Sequence, residues 1–471
     1  MHNFDQLSAL AADKMRAAGA TGPVIAAFTD SLSRFIGGET GLLPEESVGH
    51  VVELPALDDL PNRAGFEPSR IDQLVVIKLN GGLGTGMGLE QAKSLIKVRG
   101  DDTFLDFIAR QLLHLRKLTG RPRPAFFLMN SFSTQGDSLD YLRGRYPQLF
   151  DEGPIDFLQS KVPKLEAASL KPVTWPRQPE LEWCPPGHGD IYPSMLGSGL
   201  LDDLLARGVQ YAFVSNSDNL GATVDPCLLD YFADSGLSFL MEVAQRTAAD
   251  RKGGHLARRR ADGRLVLRES AQCPSADAAA FQDITRHRYF NTNNLWVRLD
   301  HLKQELQKKR GLLPLPLIAN QKTVDPRDAA STKVVQLETA MGAAIECFER
   351  AGAVLVPRSR FAPVKGTGDL LAVRSDAYEV TADSRLLLAP KRGGVPPVVE
   401  LDAKHYKTIA DFESLFPKGP PSLLEADSVN VQGRVQFGPG VICRGKVSFC
   451  NPSEEPWTVQ AGVYENIDVR P

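Results

Sequence analysis

Five glycines stand within eight residues at Gly81-Gly82-Leu83-Gly84-Thr85-Gly86-Met87-Gly88. Without a Cβ, such a backbone turns sharply and approaches a ligand closely, and its N–H groups can cradle an anion. The spacing fits neither standard phosphate loop. A dinucleotide fingerprint would need its third glycine where Met87, Leu89 or Gln91 stands, and a P-loop ending at Lys93-Ser94 would need glycine at Met87 and Ala92. Lys93 still lies where an ammonium could reach phosphates held by the loop; the alternative is a structural turn and a solvated lysine. Asp218 is the second candidate. A carboxylate just past a parallel strand sits where α/β sheets take ligands, and Mg²⁺ is usually held by one or two carboxylates plus phosphate oxygens. Asp218 could equally close an Asx-turn with Asn216 and Asn219. His188, between Gly187 and Gly189, is either approached by a ligand or a surface residue. Asn291-Thr292-Asn293-Asn294 offers amides to a polyhydroxylated ligand, or forms a turn. Lys365, taken alone, is an ordinary loop lysine, and Arg258-Arg259-Arg260 reads as a solvated face, not an RNA patch.

Strand ends and tight loops must position these groups. Leu74, Val75, Val76, Ile77 and Leu79 make residues 72–80 a strand buried on both faces, running into the glycine loop. Phe104, Leu105, Ile108, Leu112 and Leu115 mark a helix with Thr103 as N-cap and Gly120 as stop. Residues 125–129 are a second buried strand, so strand, helix and strand form a parallel crossover unit. The pattern repeats with a helix over 200–207 and a strand over 211–215, just before Asp218. Two helices stopped by Gly19 and Gly37-Gly38 precede all this, and residues 337–350 and 403–416 are predicted helical. After Pro417-Lys418-Gly419-Pro420-Pro421 the pattern changes. Val429, Val435, Val441 and Val447 are six apart, with Val431, Phe437, Cys443 and Phe449 two residues behind. That period points to a left-handed parallel β-helix, with an antiparallel meander as the alternative. The expected division is a helical arm (1–50), a catalytic domain (51–400), a linker helix (401–421) and a β-helix domain (422–471).

The chain has 471 residues and a formal net charge of −3, which speaks against a protein working mainly on nucleic acid or a membrane surface. Hydrophobic residues at 42% and charged residues at 24% are globular composition. The six cysteines lack C-x-x-C pairing and metal-finger spacing, so they read as reduced thiols. Residues 1–19 are polar and mixed in charge, unlike a signal peptide, and no apolar run is long enough to span a bilayer. The expected setting is the cytoplasm.

Several ordered blocks resemble one family. Leu79-Asn80-Gly81-Gly82-Leu83-Gly84-Thr85 with Lys93-Ser94 is similar to the signature loop of the eukaryotic-type UTP–glucose-1-phosphate uridylyltransferases, or UDP-glucose pyrophosphorylases. So are Leu128-Met129-Asn130-Ser131-Phe132, Pro186-Gly187-His188-Gly189-Asp190, Ser215-Asn216-Ser217-Asp218-Asn219, Phe290-Asn291-Thr292-Asn293, Gln336-Leu337-Glu338-Thr339-Ala340 and Pro363-Val364-Lys365, in family order from about residue 30 onward. The resemblance implies a Rossmann-like, glycosyltransferase-A-like mixed sheet ending in the β-helix. It implies that glucose 1-phosphate attacks the α-phosphorus of UTP, giving UDP-glucose and pyrophosphate, with Mg²⁺ as cofactor. Carried over, Lys93 and Lys365 are catalytic and Asp218 holds the metal. Leu79, Asn80, Gly81, Gly82, Met129, Gln159, Gly187 and Asp218 bind UTP. His188, Asn216, Ser217, Glu269 and Asn293 bind the sugar phosphate. Some relatives oligomerise through the C-terminal β-helix, so a homo-oligomer is a further expectation. The alternatives are a uridylyltransferase for galactose or N-acetylglucosamine 1-phosphate, and an inactive sugar-nucleotide binding protein. A hexapeptide-repeat acyltransferase is disfavoured because no histidine follows His405.

Overall fold

The computed structural model describes residues 4–61, 67–247 and 250–471, so residues 1–3 of the expected arm lie outside the described residues. At its centre the strands Tyr211–Asn216, Leu74–Asn80, Ala125–Asn130 and Asp156–Leu158 run side by side in parallel. Tyr289–Arg298 pairs antiparallel with Tyr211–Asn216 and then with Phe239–Gln245, making the ten-stranded sheet mixed. The C-terminal ends of the parallel strands therefore share one edge, at Asn80, Asn130 and Asn216.

Both faces of this sheet are covered, which explains the unbroken apolar run from Leu74 to Ile77. On one face Val76 and Phe126 pack with Phe104, Leu105, Ile108 and Leu112 of the helix Phe104–Thr119. A capping box starts that helix: Thr103 N–H donates to Asp106 Oδ2 at 2.7 Å and Asp106 N–H to Thr103 Oγ1 at 3.4 Å. Gly120, at φ +64°, ends it. On the other face Val75, Ile77 and Met129 meet Tyr192, Met195 and Leu201. The helices Phe4–Ala17 and Gly22–Ile36 bury Leu7, Met15, Phe28 and Leu32 against Val162, Leu165, Leu317 and Leu337. The arm thus braces the segment just after Gln159 and the strand that leads into Thr339.

One fully buried ion pair ties the sheet to the loop that carries Lys365. Arg360 donates from Nε and Nη2 to Glu242 Oε2 and Oε1 at 2.8 and 2.7 Å. Trp296 Nε1 and Asn294 Nδ2 donate to the same carboxylate at 2.9 and 3.0 Å. A pair so completely satisfied tolerates burial, but removing one partner strands a charge in the core. Arg360→Met is therefore expected to cost about 3–5 kcal/mol, read by denaturant unfolding. A loss below about 1 kcal/mol would mean that the pair is not holding the sheet to this loop.

Two expected elements differ. Residues 337–350 are not a helix: Lys333–Thr339 is a strand, paired antiparallel with Leu317–Thr323, followed by a 3-10 turn over Met341–Glu346. The helical spacing of Leu337, Ala340, Met341 and Ala344 arose because this segment is buried all round, which removes the polar face that would tell the two periods apart. Residues 403–416 form two short helices, Ala403–Tyr406 and Ile409–Leu415, because Thr408 caps the second by accepting from Asp411 N–H at 3.1 Å. Beyond residue 421 the strands pair in parallel, with Val429 opposite Val447, Val431 opposite Phe449 and Val435 opposite Trp457. Residues 429 and 447 lie 18 positions apart, three six-residue repeats. An antiparallel meander does not give such pairing.

Candidate active site

The glycine loop folds back on itself. Leu83 bridges Ala92, and Lys93 N–H donates to Gly82 C=O at 3.1 Å. This return carries Lys93 from eleven positions beyond Gly82 to its side. From the neighbouring strand, Ser217 N–H donates to Leu79 C=O at 3.0 Å, which sets Asp218 beside the loop. Lys93 Nζ then meets Asp218 Oδ2 at 2.6 Å, with both side chains about one-fifth exposed. The other carboxylate oxygen, Oδ1, is buried and accepts no hydrogen bond from the described residues. An oxygen held in this way, beside a cation and a glycine cradle, suits a hard cation that takes its remaining ligands from phosphate. Among the described residues no cluster of three or more acidic, cysteine or histidine side chains provides an all-protein metal cage.

Lys365 reaches the same turn by backbone docking. Val364 N–H donates to Asp218 C=O at 3.2 Å, Asn219 bridges Pro363, and Ala362 N–H donates to Asn219 Oδ1 at 2.9 Å. Lys365 and Gly366 N–H both bond Asp369 Oδ2, at 2.7 and 2.9 Å, which fixes the start of the helix Thr367–Arg374. The Lys365 side chain is exposed, with Nζ 5.9 Å from the centre of the Phe290 ring. Two lysines distant in sequence and one carboxylate thus surround one turn.

A second group gathers around Gln159. Its Nε2 donates to Gly187 C=O at 3.1 Å, while a Cβ on Gly81 would lie 2.6 Å from its Oε1. Gly187 has φ +79°, and an added Cβ would strike the Thr339 carbonyl. Gly81, Gln159, Gly187 and Thr339 therefore line one narrow place, and Leu79, which leads into the loop, is paired in register with Met129. Gly82 is exposed at its rim. Asn80 departs from expectation. Its side chain is buried and donates to Asn130 Oδ1 and Ser138 Oγ, both at 2.8 Å, so only its backbone can face a nucleotide. Strand alternation turns it to the face opposite Leu79.

His188 Nδ1 accepts from Met341 N–H at 2.9 Å, which leaves the proton on Nε2. Burial pushes its pKa down to about 4. The unfolded chain then takes up this proton near pH 6.5 and the folded chain only near 4, so His188 weakens stability as pH falls through that window. The imidazole is expected to stay neutral down to about pH 5 in ¹H–¹³C spectra. A midpoint near 6.5 would contradict the geometry.

On the remaining side stand Asn216, Ser217, Glu269 and Asn293. Asn216 is half-buried at its strand end and pairs in register with Leu79; Ser217 is buried. Asn293 lies inside the strand Tyr289–Arg298, not in a turn, yet at φ +58°. Asparagine tolerates that conformation, and Asn291 supports it: its Oδ1 accepts from Asn293 N–H at 3.0 Å and its Nδ2 donates to Asn293 Oδ1 at 2.9 Å. Burial raises the Glu269 pKa, opposed by the Asn291 amide and the Lys365 charge. A Cβ on Gly254 would collide with the Glu269 carboxylate, and one on Gly253 with the Phe290 ring. The paired glycines hence admit Glu269 and Phe290 beside Lys365. The sequence reading gave no role to Thr339 or Met341, although Thr339 N–H bonds Pro186 C=O at 2.9 Å and both hold the Gly187-His188 turn. The ordered block Gln336–Ala340 was the available signal, masked by its helical spacing.

The family model described as UTP–glucose-1-phosphate uridylyltransferase matches residues 39–444. Curated proteins of that name from Solanum tuberosum and Saccharomyces cerevisiae are each 40% identical to this chain, over 438 and 404 residues. The matches cover 90% and 85% of this chain and 88% and 79% of those proteins. A UDP-glucose pyrophosphorylase variant from Leishmania major, solved in complex with UDP-glucose, superposes with a TM-score of 0.94 at 46% identity over 99% of both chains. A UDP-glucose phosphorylase structure from Trypanosoma brucei gives a TM-score of 0.91 at 48% identity, again over 99% of both chains.

Proposed function

The chain belongs to the UTP–glucose-1-phosphate uridylyltransferase family, and we propose that it joins UTP and glucose 1-phosphate into UDP-glucose and pyrophosphate through the lysine–carboxylate site around Asp218. A phosphate oxygen of the sugar phosphate forms the new bond to the α-phosphorus of UTP. The bond from that phosphorus to the oxygen bridging to the β-phosphate breaks, and pyrophosphate leaves with its electron pair. Transfer of this kind asks a protein for positioning and charge neutralisation, not for a covalent intermediate.

The observation that carries this reading is the convergence of Lys93, Asp218 and Lys365 on one turn beside the glycine loop. Asp218 would hold Mg²⁺ through Oδ1, and the bound ion supplies positive charge to the phosphate oxygens. Lys93 neutralises the nucleotide phosphates together with the loop N–H groups. Lys365, on the sugar side near Glu269, answers the charge that builds on the transferring phosphoryl group. Gln159, Gly81, Gly82 and Gly187 present donors and acceptors to the uracil ring, over Leu79 and Met129. His188 donates from Nε2 to the sugar phosphate, and Asn216, Ser217, Glu269 and Asn293 bond the hexose hydroxyls.

The same reading assigns residues 1–50 to a bracing arm, 51–400 to a Rossmann-like catalytic domain, 401–421 to a linker and 422–471 to a left-handed β-helix open to homo-oligomer contacts. It places the enzyme in the cytoplasm, free of nucleic acid and membrane partners. No helix among the described residues is long and apolar enough to cross a membrane. Comparing kcat/KM for glucose, galactose and N-acetylglucosamine 1-phosphates tests the substrate. Preference for glucose by at least about tenfold is expected, since a site built around hydroxyl partners rejects a misplaced one. Preference for either other sugar overturns the assignment.

A further inference from the structure

Lys78 is an anomaly in the sheet. It follows Ile77 in a central, almost wholly buried strand and is 3% exposed. Its Nζ donates to Ser215 Oγ at 2.8 Å and to Ala222 C=O at 2.6 Å, and neither partner is charged. An ammonium carries three N–H groups, so one remains for something else. Desolvation pushes its pKa down to about 7. The Arg360 charge adds to this and the Glu242 charge opposes it, and a further anion at Nζ would favour the charged form.

That side chain lines a cavity of about 250 Å³ between the helix Phe104–Thr119 and the turn that follows Ala222. Ile108, Leu112, Leu115, Phe126 and Phe213 form its walls, and Lys78 Nζ lies 5.8 Å from the centre of the Phe213 ring. Asp383 and Arg385 flank it and neutralise each other at 2.7 Å, while the other acidic lining residue, Asp225, turns Oδ1 to the N–H groups of Cys227 and Leu228 and has Oδ2 4.0 Å from Arg360 Nη1. Because residues alternate along a strand, Lys78 faces away from Leu79, so this cavity lies across the sheet from the Leu79 face. Small-molecule sites commonly have this make-up: apolar walls with a few fixed polar groups.

We propose that this cavity is a second small-molecule site, taking a compact apolar molecule with one carboxylate that the spare N–H of Lys78 anchors. The site is independent of the uridylyltransferase reading. It does touch the catalytic turn, since Ala222 C=O is a Lys78 partner and Ala222 N–H bonds Asn219 C=O at 3.2 Å, one residue from Asp218.

Calorimetric titration of the full chain with 2-naphthoate and with neutral 2-naphthamide tests it. The wild type is expected to bind one equivalent of 2-naphthoate saturably. Leu115→Trp, which fills the cavity from the helix, is expected to weaken both probes at least about tenfold while UDP-glucose synthesis is unchanged. Lys78→Met is expected to weaken 2-naphthoate about tenfold and 2-naphthamide less than about threefold. Absence of one-to-one binding to the wild type, or equal binding to Leu115→Trp, overturns the site. Equal loss of both probes in Lys78→Met, from a protein with unchanged circular dichroism, overturns the role of the charge. Leu115→Trp decides the first point even if Lys78→Met fails to fold.

Discussion

Lys365→Ala is expected to lower kcat by about 10²–10³ while the Kd for UTP moves by less than about threefold. The Lys365 side chain is exposed and has no ion-pair partner among the described residues, so little structure depends on it. The backbone N–H groups that fix its loop on Asp369 persist in the variant. What is lost is a charge aimed at the transferring phosphoryl group, felt mainly in the transition state. Pre-steady-state product formation with equilibrium UTP binding separates the terms. A raised KM with unchanged kcat would make Lys365 a ground-state contact instead.

Asp218→Asn is expected to cost about 10³ in kcat/KM for a different reason. The amide keeps the shape and can still accept from Lys93, so the turn held by Val364 and Ser217 should survive. It loses the charge that a divalent cation requires. Electron paramagnetic resonance of free Mn²⁺, titrated in the presence of UTP, gives a readout apart from turnover. Weakened Mn²⁺ retention in Asp218→Asn is expected; identical retention by both proteins would move the metal elsewhere.

Much of this site was legible in the chain because chemistry at strand ends has local signatures. The apolar run into Gly81 and the strand before Asp218 placed both loops at one sheet edge, and Thr103 and Gly120 framed their helix. What was not legible depended on distant contacts. The spacing around Leu337 mimics a helix because the segment is buried on every side, and only its pairing with Leu317–Thr323 reveals a strand. Asn80 looked like a ligand residue, but alternation turns it inward to Asn130 and Ser138. Asn293 was ambiguous because a left-handed residue within a strand reads as a turn until the Asn291 support is seen. Lys365 carried no signal beyond the short family-like block Pro363-Val364-Lys365. Its place follows from two backbone bridges to a turn more than a hundred residues away.

Pyrophosphate release from UTP, with glucose 1-phosphate and Mg²⁺ added singly and together and Lys93→Ala run beside the wild type, decides whether this chain is the uridylyltransferase proposed. The account predicts release only when all three are present, one pyrophosphate for each UDP-glucose formed, and loss of both in the variant. Release without glucose 1-phosphate, or none from a folded wild-type protein, would contradict it.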